Sequence, residues 1–271
     1  MIEALEYVKK FSGCQFLIKL GGSILENTTL MKKICFDFQL LRAANIKIIL
    51  VHGGGKAIDQ ALKVYKLKSV FKDGLRVTTS AQMKVIEMVL SGQINKLLVR
   101  TLNAMGISAV GLSGADHQML CCQPWSSEHG HVGRIQTINA VMIEQLHAIH
   151  LLPVIAPIGV GEKGKAYNIN ADWVASCLAV ALKVDKLIYL TDQDGIQNKD
   201  HQVISTANAA GLHHLIQDKV VSDGMLTKVS AILHALKKGI DNIHIVNGHR
   251  PHAVIQETFT KNGVGTLCQL F

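Results

Sequence analysis

The chain is sparing with charge: of its 271 residues only 18% are Asp, Glu, Lys or Arg, against 48% hydrophobic. That balance excludes a disordered polyelectrolyte and supplies enough apolar mass for one large domain or two closely packed lobes. Cys14, Cys35, Cys121, Cys122, Cys177 and Cys268 show no Cys-x-x-Cys spacing, and two of them are adjacent. Neither a zinc ribbon nor a disulfide framework is indicated, and buried reduced thiols are expected. Long apolar runs are also missing. The longest, residues 151–160, contains Pro153 and Pro157 and is too short to cross a bilayer. The first segment carries Glu3, Glu6, Lys9 and Lys10 without the apolar core of a secretory signal, so a cytoplasmic protein with no membrane partner is expected. Thirteen histidines, His129, His131, His213 and His214 among them, form no set with acids at firm metal-ligand spacing, so no protein-held metal is expected.

What charge there is leans positive, 28 Lys and Arg against 20 Asp and Glu, but scattered rather than clustered. Scatter argues against nucleic acid as a partner. A basic balance suits an enzyme whose substrates are anions, because it raises their local concentration.

Short β-rich apolar runs alternate with longer helical patterns: 16–20, then 30–44, 46–51 and 57–66. The alternation returns with 80–105, 107–112, 140–150, 152–158, 171–182, 187–190, 224–238 and 243–246. It predicts a doubly wound α/β fold, a three-layer αβα sandwich around a mainly parallel open sheet. Residues 116–133 and 159–167 break the rhythm with glycines and turn formers, and are expected to be β-hairpin excursions at the sheet's end. With no repeat and no low-complexity linker, the two lobes, approximately residues 1–175 and 176–271, must share one sheet.

Several motifs stand where strands should end. Lys19-Leu20-Gly21-Gly22-Ser23 puts a lysine on the first strand and glycines where a helix should begin, an arrangement that lets backbone N–H groups approach a phosphate. His52-Gly53-Gly54-Gly55 offers a second backbone nest for a phosphoryl group or a carboxylate. His52 there is more simply read as a hydrogen-bonded residue than as a catalytic base. Gly159-Val160-Gly161-Glu162-Lys163-Gly164 matches a dinucleotide fingerprint literally and nearly matches a Walker A loop. Both motifs need a helix directly afterwards, and Lys165-Ala166-Tyr167-Asn168-Ile169 reads as a strand, so this is expected to be a hairpin turn.

Asn168-Ile169-Asn170-Ala171-Asp172 alternates polar residues into a helix start, where an acid can orient nearby lysines or simply cap the helix. Thr191-Asp192-Gln193-Asp194-Gly195-Ile196 ends a strand in a polar loop, and Asp223-Gly224-Met225-Leu226-Thr227-Lys228 places a lysine on the first turns of a helix.

In this order, and with Asp73-Gly74-Leu75-Arg76-Val77-Thr78 and Gly130-His131-Val132-Gly133, these motifs resemble the acetylglutamate kinases of the amino acid kinase family over residues 11–267. The resemblance implies phosphorylation of the side-chain carboxylate of N-acetyl-L-glutamate by ATP, with Mg²⁺ carried on the nucleotide, in arginine biosynthesis. By that resemblance Lys19 and Lys228 stabilise the transferring phosphoryl group and Asp172 holds both lysines. Gly54, Gly55, Arg76 and Asn168 bind the acceptor, and Gly21, Gly22, Asp192, Gly195 and Ile196 serve the nucleotide. It implies a homodimer. Residues 5–11 and 257–266 are also similar to the helix and the C-terminal signature of arginine-inhibited, hexameric members. A nitrogen-signalling protein partner stays an open question at this point. A sister kinase for another acid, such as an aminoadipate derivative, would share the chemistry, and a non-catalytic arginine or nucleotide sensor would share the fold. Lys19, Asp172 and Lys228 together favour catalysis over sensing.

Overall fold

The computed structural model describes residues 2–261 and 263–271, the side chains of residues 2–4 and 223 excepted; Met1 and Asn262, which falls within the C-terminal signature, lie outside the described residues. In chain order the strands are β1 (Gln15–Leu20), β2 (Lys47–His52), β3 (Val70–Lys72), β4 (Leu75–Val77), β5 (Ala109–Ser113), β6 (Leu120–Pro124) and β7 (Gly133–Ile138). There follow β8 (Leu152–Ala156), β9 (Ile158–Val160), β10 (Ala166–Asn168), β11 (Lys186–Thr191), β12 (Thr206–Asn208), β13 (Ile243–Asn247) and β14 (Thr266–Gln269).

The main sheet has eight strands in the order β12-β14-β13-β11-β1-β2-β8-β5. Its pairings are parallel except that of β13 with β14. Helices cover both faces, as the βαβ alternation predicts, and one sheet runs through the whole molecule. Both faces of β1 are buried, so its residues divide by parity. Phe16, Ile18 and Leu20 join the apolar layer under the helix Thr28–Ala43. Leu17 joins the opposite layer, under the helices Ala171–Leu182 and Asp223–Lys237. Lys19 shares the parity of Leu17 and therefore points toward the helix Ala171–Leu182, whose first turn carries Asp172.

The two predicted excursions are the hairpins β6–β7 and β9–β10, joined by a parallel β6–β9 contact into a second, four-stranded sheet. The Gly159–Gly164 glycines end β9 and turn into β10 with no helix after them, so the decoy motif is a hairpin turn. The sequence predicts one helix over 80–105. It is one helical rod with a wider middle: α-helical Ser80–Glu87, π-helical Met88–Ile94, then α-helical Asn95–Ala104. Thr79 and Gln82 close its start with a reciprocal capping box.

Candidate active site

The parallel strands β1, β2, β11 and β13 release their C-terminal ends on one edge of the sheet, where open α/β folds bind ligands. There the helix Ala171–Leu182 starts at Asn170, whose side chain accepts from the amides of Asp172 and Trp173 at 2.9 and 3.2 Å. The cap is Asn170, which leaves the Asp172 carboxylate free to turn inward.

Asp172 meets two lysines. Lys19 Nζ, from β1, lies 2.8 Å from Asp172 Oδ1. Lys228 Nζ, from the helix Asp223–Lys237, lies 3.0 Å from both Oδ1 and Oδ2. All three side chains are about nine-tenths buried. Burial alone would raise the Asp172 carboxyl, but the two ammonium groups outweigh it and hold the carboxyl down at about 2. Burial lowers Lys228 to about 8 even though Asp172 pulls the other way; Lys19 lowers it further and Asp192 opposes. Tyr189, next to Lys19 in the β1–β11 register, lies under this group. Its ring centroid is 5.1 Å from Lys228 Nζ, and its hydroxyl donates to the Asp172 carbonyl at 3.1 Å.

Two cavities converge on Asp172. The first, about 220 Å³, runs between the glycines 53–55, Arg76 and Asn168, and contains Lys19. The second, about 480 Å³, runs between Asp192, Gly195, Val221 and Met225, and contains Lys228. Each lysine thus belongs to a different cavity, and the carboxylate that holds both stands where the cavities meet.

In the first cavity Arg76 is buried and heavily committed. Its Nη1 donates to Asp59 Oδ1 at 2.5 Å and to the Ser69 hydroxyl, its Nη2 donates to Gly55 O at 3.3 Å, and its guanidinium lies 4.7 Å from the centre of the Phe71 ring. Asn168 Nδ2 donates to the Thr78 hydroxyl at 3.3 Å, and that hydroxyl donates to Arg76 O at 2.7 Å, so the two expected acceptor residues are tied together. His129 and His131 stitch this unit to the second sheet: the Thr78 amide donates to His129 O at 3.1 Å and Thr78 O accepts from the His131 amide at 2.7 Å, with Gly130 opposite Thr78.

Lys19, Gly22, Gly54, Gly55, Arg76, Asn168 and Asp172 all line the first cavity; Asp172, Asp192, Gly195 and Lys228 line the second. Of the residues expected at the nucleotide, Gly22 thus lines the first cavity and not the second, and Gly21 and Ile196 line neither. Gly21 caps the helix Gly22–Glu26 and gives its amide to Leu190 O at 2.9 Å. Ile196 is fully buried, and its amide donates to Thr266 Oγ1 at 2.9 Å. Asp59, Ser69 and Tyr189 were given no role by sequence reasoning, and Thr78 stood only as the end of the Asp73–Thr78 motif. Asp59 carried one faint signal, lying one turn past Gly55 on the same helix.

Residues 15–247 match the model of the amino acid kinase family. An acetylglutamate kinase from Campylobacter hominis is 40% identical over 98% of this chain and 95% of its own length. One from Pelobacter propionicus is 41% identical over 99% and 96%. Among solved structures, N-acetylglutamate synthase from Neisseria gonorrhoeae, complexed with coenzyme A and N-acetyl-glutamate, superposes with a TM-score of 0.90 at 23% identity. The match covers 100% of this chain but only 62% of the synthase, so the likeness is one of fold alone.

Proposed function

The chain belongs to the amino acid kinase family, and from that premise we infer that it phosphorylates the side-chain carboxylate of N-acetyl-L-glutamate with ATP, a step of arginine biosynthesis. The observation that carries this is the convergence of two cavities on one buried Lys–Asp–Lys group.

The acceptor carboxylate titrates near about 4.3 and is ionised at neutral pH, so the reaction needs no general base. It needs positioning, and neutralisation of charge as the phosphoryl group passes between anionic oxygens. Lys19 reaches in from the acceptor side and Lys228 from the nucleotide side. Asp172 spaces them and, with its carboxyl held at about 2, stays an anion and not a proton donor. Arg76 and Asn168 are proposed to bind the acceptor with the amides of Gly54 and Gly55. Gly22, Asp192 and Gly195 are proposed to serve the nucleotide, whose Mg²⁺ arrives with it. Residues up to about 175 form the acceptor-binding and dimerising lobe in this reading, and the remainder the nucleotide lobe, in a cytoplasmic homodimer.

One further feature favours a regulated enzyme of the arginine-inhibited kind. The helix Ile2–Phe11 packs beside the C-terminal signature over a cavity lined by Tyr7, Lys186, His244 and Glu257. Arginine added to the assay should then slow turnover.

The test of the main reading is hydroxylamine trapping of the acyl phosphate with MgATP and N-acetylglutamate, beside glutamate, aspartate and aminoadipate derivatives. Product with N-acetylglutamate alone supports the assignment. Product with a different acid moves the acceptor, and none with any acid from folded, ATP-binding protein removes the kinase reading in favour of a sensor.

A further inference from the structure

His52 is fully buried beside the acceptor cavity and has no part in the mechanism above. Its surroundings fix its chemical form. Nδ1 lies 3.0 Å from Gly53 O, which can only accept, so Nδ1 carries the proton. Nε2 faces Asn95 Nδ2 at 3.2 Å. That amide cannot be turned around: its nitrogen also faces the carbonyls of Val154 at 2.9 Å and Leu112 at 3.3 Å, and its oxygen accepts from Lys96 Nζ at 3.1 Å. Nε2 is therefore an acceptor, and both ends of the ring assign the same neutral tautomer. Burial, the larger influence, lowers the ring to about 4, and the charges of Lys19 and Lys96 act in the same direction.

The bond to Gly53 O has a geometric consequence. Gly53 O and the Gly54 N–H belong to one trans peptide plane and point in opposite directions. A carbonyl turned in to the buried imidazole leaves the Gly54 N–H directed away from it, on the side where Gly54 lines the cavity. Among the described residues neither the Gly54 nor the Gly55 amide meets an acceptor. From beneath, the π-helical segment supports the same peptide: a Cβ on Gly54 would meet Ile94 Cδ1 and Leu90 Cδ2, and the next residue after Ile94 is Asn95. We propose that His52, held in one tautomer by Asn95, is a positioning residue that aims the Gly54 amide at the reacting oxygens of the acceptor cavity.

This role rests on the kinase reading and predicts a contrast between two substitutions. In His52→Asn the side-chain amide nitrogen stands where Nδ1 stood and still donates to Gly53 O; in His52→Gln the amide reaches toward Asn95 and leaves that carbonyl without a donor. For folded protein, kcat should fall about tenfold or more in the Gln variant, and Asn should restore it to within about threefold of wild type. KM for ATP should stay within about twofold in both, because His52 and its glycines stand apart from the nucleotide cavity. Equal kcat in the two variants, whether high or low, overturns the proposal. If the Gln variant does not fold, nitrogen NMR of ¹⁵N-histidine-labelled wild type decides, with the His52 signal identified by its loss in His52→Asn. A single Nδ1–H tautomer unchanged from pH 5.5 to 9 is expected, and a ring that titrates in that range or carries its proton on Nε2 overturns the role. Wild-type enzyme giving no hydroxamate would instead remove the kinase reading, while leaving the tautomer result to stand on its own.

Discussion

Lys228 hydrogen-bonds both carboxylate oxygens of Asp172 at 3.0 Å each, across 56 residues of sequence. Such a bond ordinarily raises a lysine, yet here burial is the larger influence and leaves the ammonium near 8. The charge that the mechanism needs is therefore within reach of ordinary assay conditions.

As pH rises through about 8, free enzyme loses the Lys228 proton, so kcat/KM for ATP should fall along a basic limb centred near that value. Bound polyphosphate favours the charged form, so the limb in kcat should lie higher. Lys228→Arg should retain no limb below about pH 10. A flat wild-type profile from pH 7 to 10 would contradict this.

Removing either lysine should be costly, and removing both should not cost the product of the two. Lys19→Ala and Lys228→Ala should each lower kcat about a hundredfold, by analogy with loss of a single oxyanion donor. Because both bind one carboxylate, the double variant should fall short of the multiplied effect, as a double-mutant cycle on kcat would show.

Asp172→Asn leaves two buried ammonium groups without their anion. It should lower stability by about 3–5 kcal/mol at pH 7. The carboxyl is depressed in the folded protein, so its contribution is present above about pH 4 and is lost as pH falls toward 2. Urea unfolding of the variant and wild type should accordingly differ less at pH 2.5 than at pH 7.

Arg76 is a two-pronged donor whose Nη1 is engaged by Asp59 and whose Nη2 faces Gly55 O. Arg76→Lys keeps the charge and loses the fork. KM for N-acetylglutamate should rise about tenfold with KM for ATP nearly unchanged. Equal effects on both substrates would separate Arg76 from the acceptor.

Gly54→Ala forces a methyl against Ile94 Cδ1 and within 2.8 Å of Leu90 Cδ2. An overpacked methyl should destabilise the protein by about 1–3 kcal/mol, read as a lowered melting temperature.

The fold was legible where elements are long. Runs such as 46–51 and 171–182 announce a buried strand and an apolar helix, and both occur within a residue or two of the expected limits. Three-residue strands such as β3, β4 and β12 have no room for a period, and β14 is defined only by the strands on either side of it. The π-helical segment was equally hidden, since one extra residue per turn barely disturbs an apolar pattern. At the site, Lys19, Asp172 and Lys228 were read from the order of motifs, which carries the memory of a shared fold. What surrounds them depends on tertiary approach: Tyr189 looks like any β-strand aromatic until its ring is found beneath Lys228. Ile196 shows the converse, a residue inside a recognisable motif whose side chain belongs to the core.

The central place of β1 affects how the molecule can be made. One neighbour, β2, follows it closely, but the other lies far downstream: the Gln15 amide reaches Asp185, 170 residues away, just before β11 begins. A nascent chain that has emerged only as far as β8 therefore displays β1 as a bare, apolar edge, the kind that invites pairing with other chains. Fragments ending before Lys186 should accordingly aggregate or be cut by protease near β1, whereas the 271-residue chain should resist both. The strand that carries Lys19 is synthesised long before the strand that closes its second edge.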